Sequence, residues 1–412
     1  MLGSKLQFEK KSFISFTLML YAIMILVFIL ESINIFSGIT VLRKIRYIYL
    51  ICVCAYFLQH YRGYISKKVF VLTGLLLVHT VLFGLVFVND SVKSETVMYF
   101  IEMIIFIALI FFTYYFVWDN NIIKRFIEIN YFSVAVPMFL SFITHFNHRM
   151  NPLKFYTVFR SSHYQRSTFG FMHANFAGYI LAFALIYSMI LFIQYFRDSR
   201  VYKNRYKIIM MVFLDLVMID MLFATTSRTA IIAVFIFAGM ELFYSHFYKY
   251  RLSISTTIAL SMGILLILYI LISTGILSQI WDSSNRNENI TVNMEYFKLF
   301  SPMTGMGYLP SYAFLAKGYG FDTWPVDMYY LYILLTTGYF GLFIISLFLV
   351  FTFIYIYKIK DSIYRRNALS LFVAIIFAGL GSSHIITYQL TMGMINWIIL
   401  FLYISPKKII KD

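Results

Sequence analysis

Runs of about 20 apolar residues recur along this chain between short charged breaks, and that is the length an α-helix needs to cross roughly 30 Å of hydrocarbon. A backbone in lipid must satisfy its own hydrogen bonds, so such runs fold as spanning helices. The shorter alternating segments of a transmembrane β-barrel are absent. Composition agrees: 61% of the 412 residues are hydrophobic, 20% are aromatic and 13% are charged, far from the balance of a soluble domain. The expected fold class is an all-α polytopic membrane protein, a single integral domain over residues 1–412. No internal repeat, heptad pattern or low-complexity tract divides it.

The pattern predicts about twelve spans, at 13–30, 46–59, 69–88, 97–117, 126–146, 176–196, 208–225, 229–248, 254–276, 329–357, 369–389 and 392–405. The first follows Lys5, Lys10 and Lys11 as a signal sequence would, but no small-residue cleavage site follows, so it reads as a retained helix. The segment 46–59 is short, and Gly381-Ser382-Ser383-His384 suits a kink near the last two spans. With the N-terminus in the cytoplasm, the inside loops hold most of the 34 lysines and arginines, which satisfies the positive-inside tendency. The net charge of +16 is therefore an orientation signal, and no nucleic-acid partner is expected. Both termini are then cytoplasmic. Cys52 and Cys54, two apart in an apolar segment, suggest neither a disulfide framework nor a metal site. No carboxylate cluster offers a metal site, and no cofactor motif appears.

Two outer loops break the apolar pattern. Residues 277–328, between spans 9 and 10, contain three of the chain's six prolines (Pro302, Pro310, Pro325) and a Gly305-Met306-Gly307 turn. A loop this long inside a compact fold is more often functional than ornamental. Residues 147–175 carry Arg149, Lys154, Arg160 and Arg166 and no acidic residue, against the positive-inside tendency. Such a loop either anchors at lipid headgroups or meets an anionic partner. Ala224-Thr225-Thr226-Ser227-Arg228-Thr229 forms a tight turn on the same side. Residues 290–300 suit a short surface helix with Ile290, Met294 and Phe297 on one face.

Arg160, Arg166, Arg228 and Arg286 all fall on this side. Converging guanidinium groups match phosphate oxygens and stabilise a departing diphosphate without a metal. Each arginine alone reads equally as a surface ion pair, a reading weakened for the set by the scarcity of external carboxylates. A hydroxyl nucleophile needs a base, and Asp327, Asp322, His163 and His173 are the candidates. Asp327 precedes span 10, where it serves as well for a helix N-cap as for a base. A loop histidine often makes hydrogen bonds only. Asp215 and Asp220 lie within span 7, where a carboxylate marks an ion pathway or a satisfied interhelical pair. Glu102 and Glu241 read as structural or interfacial. Tyr308, Tyr312 and Tyr319 suit stacking on sugar rings.

Four stretches in this order resemble the O-antigen polymerase and O-antigen ligase superfamily, whose polymerase branch is called Wzy-type. They are Gly170 through His173 and Asn175 to Gly178; Thr226-Ser227-Arg228-Thr229-Ala230; Arg286 followed by Met303-Thr304-Gly305-Met306-Gly307-Tyr308; and Pro325-Val326-Asp327-Met328-Tyr329-Tyr330-Leu331 with Gly338 and Gly341. They cover about residues 170–345, and the flanking helices match only in number and hydropathy. Where the family's ligases have His-Asn at the loop exit this chain has Val326-Asp327, which favours a polymerase.

The resemblance implies a metal-independent glycosyltransferase in the bacterial plasma membrane. It would join polyprenyl-diphosphate-linked oligosaccharide repeat units at the outer face into capsular, exopolysaccharide or O-antigen chains. Arg286 and Arg228 would hold the donor diphosphate, and Asp327 would orient or deprotonate the acceptor hydroxyl. Arg160, Arg166, His163, His173, Asn175 and Asp322 would form the substrate-binding set. A chain-length regulator and a flippase would be its partners. The competing expectations are a ligase-like glycan transferase and, from a different class, a lipid-linked oligosaccharide flippase or transporter.

Overall fold

The structure is a computed structural model that describes residues 2–33, 44–61, 66–88, 90, 93–148, 166–171, 173–197, 205–250, 286–298, 300–307, 328–380, 386 and 391–405. Among the described residues the chain is helical, without a named strand. The helices are α1 (Leu2–Ser32), α2 (Ile45–His60), α3 (Lys67–Val81), α4 (Lys93–Asp119), α5 (Ile123–Thr144), α6 (Ala174–Arg197), α7 (Arg205–Ala224) and α8 (Arg228–Tyr250). They continue with α9 (Arg286–Phe297), α10 (Tyr329–Tyr357), α11 (Ser362–Ala378) and α12 (Thr391–Ile404).

Every expected span except 254–276 falls on one of these helices; that segment, like Arg160, His163, Asp322 and Asp327, lies outside the described residues. Among the described residues six helices are long and apolar enough to cross a membrane: α1, α3 with its extension to Val86, α4, α5, α6 and α10. The chain is an all-α, membrane-embedded protein. α2 and α12 are apolar but shorter. The span expected at 369–389 begins earlier and ends earlier, as α11. Its first turns carry Arg365 and Arg366, which hydropathy assigns to a loop; Arg366 Nε meets Glu241 of α8 at 2.6 Å, so the charges are held by a partner helix.

α6 and α12 form the interior. From Met392 to Ile404 each residue of α12 is buried, so this helix is apolar all round because protein surrounds it on every side. Neighbouring helices are also joined by polar groups. Asn396 of α12 accepts from Tyr187 at 2.6 Å and donates to Tyr179 at 3.1 Å, both on α6. Tyr21 of α1 donates to Asn130 of α5 at 2.8 Å. Asp215 of α7 accepts from Tyr131 of α5 at 2.8 Å and Ser188 of α6 at 2.5 Å, making it a satisfied interhelical group. Glu102 pairs with Arg46 at 2.7 Å, a structural role like that of Glu241.

Cross-helix contacts sort the helix ends into two groups. At one end Lys68 donates to Ile404 O at 3.2 Å, Lys207 meets Glu128 at 3.0 Å, and Arg366 meets Glu241. At the other, residues 166–173 touch the ends of α1 and α5 and the α7–α8 turn, and Tyr329 N donates to Gly379 O at 2.9 Å. For the helices they join, these contacts are compatible with the alternation of sides read from the sequence.

Candidate functional site

Two constructions occupy the second end. The first begins with the loop before α6. Phe169 and Phe171 are buried, and Phe171 packs edge-on against Phe176 with ring centres 5.5 Å apart, so the loop is held down by its aromatic residues. Ser141 donates to Phe169 O at 2.6 Å. Gly170 has φ +83°, and a Cβ there would sit 2.5 Å from Ile33 O; only glycine fits both the backbone angle and the space.

With the apolar side fixed, the polar side chains turn to the α7–α8 connection. Ser167 N donates to Ala224 O at 3.1 Å. The Nε–H of Arg166 is shared between Thr225 O at 3.2 Å and Thr226 Oγ1 at 3.1 Å, while its terminal nitrogen donates to Asn175 Oδ1. The turn opposite is as tight as expected: α7 ends at Ala224, Thr226 takes a φ of +50°, and α8 starts at Arg228. Ser227 is the N-terminal cap residue of α8, its carbonyl accepting from Ile231 N at 3.0 Å. α6 approaches this turn closely enough that a Cβ on Gly178 would lie 2.4 Å from Ser227 Cβ. Small residues permit this contact between spanning helices.

His173 caps α6. Its carbonyl accepts from Ala177 N at 3.2 Å and its Nδ1 accepts from Asn175 N at 3.3 Å. The structure thus gathers Arg166, His173 and Asn175 around the turn that leads into Arg228. Arg228 itself is half-buried at the first position of α8.

The second construction is made of backbone. α9 starts at Arg286 and presents Ile290, Met294 and Phe297 toward the core, as the sequence pattern predicts; Phe297 meets Tyr339 edge-on with centres 5.9 Å apart. Just beyond, residues 301–307 enter a break in α10 at Gly338, where φ is +65° and ψ is −169°. An unbroken helix would bond Tyr339 N to Leu335 O and Phe340 N to Thr336 O. Instead Tyr339 N donates to Pro302 O at 2.9 Å and Phe340 N to Met303 O at 3.1 Å, while Met306 N donates to Leu335 O at 3.1 Å and Gly307 N to Thr336 O at 2.8 Å.

The fit is reciprocal. A Cβ on Gly305 (φ +68°) would sit 2.6 Å from Gly338 N, and one on Gly338 would sit 2.4 Å from Met303 C. A Cβ on Gly341 would overlap Thr337 Oγ1 at 2.0 Å. On α3, the π-helical turn Leu82–Val86 lies alongside: Phe83 packs against Phe340 at 6.0 Å between centres. Gly338 is nine residues from the start of α10, about 14 Å along its axis, so the turn meets the helix partway along its length rather than at its end.

The Gly-x-Gly and the later glycines were visible in the sequence; their meeting was not. Thr225 and Thr226 as acceptors for Arg166 were also missed, the available signal being two adjacent threonines in a turn facing an arginine loop. Among the described residues no three His, Cys, Asp or Glu side chains gather where they would hold a metal ion. No protein-family model matches the chain, and no curated protein matches it either.

Proposed function

We propose that this chain is a polysaccharide polymerase of the bacterial plasma membrane, joining polyprenyl-diphosphate-linked oligosaccharides at its outer face without a metal. The observation that carries the reading is the arginine junction. Arg166, from a loop expected to be cationic and acid-free, is oriented by Thr225, Thr226 and Asn175 beside the turn that begins α8 with Arg228. A guanidinium is a permanent cation whose planar fork of donors matches phosphate oxygens, and one held in a fixed direction suits a site for an anionic ligand. In this reading Arg228 and Arg286 bind the donor diphosphate, Arg166 and Arg160 assist, and His163, Asn175 and Asp322 contact the substrate. Asp327 takes up the acceptor proton as the sugar's anomeric carbon passes from phosphate oxygen to acceptor oxygen, releasing polyprenyl diphosphate. The end bearing Arg166 faces outward.

The flippase or transporter reading would draw on the broken helix α10, since discontinuous helices form midplane ion and substrate sites in transporters. Here the four backbone groups at the break are bonded to residues 302–307, and Asp215 is bonded to Tyr131 and Ser188. Neither is offered to a translocated ion. Purified protein given polyprenyl-diphosphate repeat units should yield a ladder of glycan lengths that persists with chelator, and Arg228→Ala and Arg286→Ala should each slow its growth by about 10²-fold while leaving it measurable. Lipid translocation in vesicles with no ladder would overturn the reading; full polymerisation by both variants would overturn the site.

A further inference from the structure

The break in α10 has the form of a splice. Two helical hydrogen bonds are given up at Gly338, and the inserted turn supplies four in their place, two from each side of the break. Inside hydrocarbon an unsatisfied backbone group costs several kcal/mol. While Gly338 keeps its non-helical conformation, withdrawing the turn would strand the carbonyls of Leu335 and Thr336 and the amides of Tyr339 and Phe340 together. Sterics act in the same direction: Gly305 and Gly338 meet backbone to backbone at distances that no other residue type permits. The turn is also closed on itself, Gly305 N donating to Ser301 O at 2.8 Å. It is therefore a rigid wedge, not a swinging lid.

α9 is joined to this wedge almost directly. Three residues separate Phe297 from Ser301, and Phe297 is buried against Tyr339, the first residue after the break. We infer that the 301–307 wedge seated in α10 fixes the position of α9 and hence of Arg286 at its start, and that Gly305 and Gly338 are positioning residues for the transfer reaction, acting through Arg286. The role given to Arg286 rests on the polymerase reading; the wedge does not. The head of α9, where Arg286 stands, is then held in a fixed place, a favourable arrangement for stabilising a diphosphate leaving group.

Two measurements on the full-length protein in lipid nanodiscs separate these claims. Hydrogen exchange should find the amides of Met306, Gly307, Tyr339 and Phe340 as slow as the interior of α10. Exchange of 306–307 at the rate of an exposed loop would overturn the wedge, whatever the activity. In Gly338→Ala, protection should fall jointly at 302–307 and 339–340 and not in α4. The kcat/KM for polymerisation should drop about 10²-fold, the usual consequence of a displacement near 1 Å.

The decisive comparison is the double variant. If Gly338 acts through Arg286, Gly338→Ala adds less than about twofold to the loss already caused by Arg286→Ala; independent damage multiplies and overturns the positioning role. Should Gly338→Ala fail to fold, Phe297→Ala weakens the buried contact between α9 and Tyr339 without touching the backbone of the wedge, and the same non-multiplying result is expected. Persistent protection at the four amides with no glycan ladder from the wild type would remove the polymerase reading, and with it the role of Arg286, while leaving the wedge in place.

Discussion

The arginine junction and the α10 wedge lie at the same end of the bundle and are built from opposite materials. At the junction the loop backbone is secured by buried phenylalanines, and side chains of Arg166, His173 and Asn175 face the open end. At the wedge the side chains have been removed: glycines stand at the contact, and main-chain amides and carbonyls make the bonds. A side-chain construction tolerates adjustment and exchanges its partners with a ligand. A backbone construction does neither, because its amides and carbonyls are bonded to one another in fixed geometry. The first is suited to binding, the second to holding still what binds, and substitutions at the two should therefore separate stability from activity.

The largest stability effect is expected at the wedge. Gly305→Ala places a methyl group 2.6 Å from the main chain of α10 at a φ of +68°. The left-handed backbone costs a side-chain-bearing residue roughly 1–2 kcal/mol, and overpacking against unyielding backbone adds roughly 1–3 kcal/mol. Thermal unfolding of the purified protein should show a loss near the top of the combined range. A melting temperature equal to that of the wild type would mean that the wedge is not a rigid contact.

The helical bundle was legible because hydropathy reports it residue by residue. The turn at 224–228 was legible for the same reason, since the polar run Thr225 to Thr229 lies between apolar runs. The wedge was not, because the pairing of 302–307 with 335–340 is a main-chain event between segments some thirty residues apart, and its only side-chain trace is a few glycines. Gly338 in particular lies in an apolar run that reads as continuous helix. Asp215 was legible as a buried carboxylate for which a satisfied interhelical pair was one reading, but its donors were not, since Tyr131 and Ser188 come from two other helices. His173 was the reverse: a residue just before an apolar helix is in cap position, yet its chemistry drew attention to catalysis first.

At the junction the effect should appear in activity. Arg166→Ala removes the oriented cation, and polymerisation should fall by about 10²-fold with the melting temperature nearly unchanged, since the side chain is exposed. Asn175→Asp is the sharper probe. It replaces a neutral acceptor of Arg166 by a carboxylate, forming an ion pair worth at most about 1 kcal/mol at an exposed position, while occupying the charge that an anionic ligand needs. Stability should hold or rise slightly as KM for the lipid-linked donor increases. Unchanged kinetics in Asn175→Asp would make Arg166 a strut, and the contrast between the two constructions would collapse.

The smallest effect is expected at His173, whose bonds serve the start of α6. Asparagine is a preferred N-cap residue and can accept the same hydrogen bond from the backbone, so His173→Asn should keep both the melting temperature and the rate within about twofold of wild type. His173→Ala should cost roughly 1 kcal/mol of stability through the lost cap. A histidine acting as proton acceptor behaves differently, because asparagine cannot replace an imidazole that titrates near neutrality. The pH–rate profile of His173→Asn decides between them. Loss of an acidic limb together with a fall in kcat would move His173 from the scaffold of the junction into its chemistry, whereas a superimposable profile leaves proton transfer to a carboxylate such as Asp327.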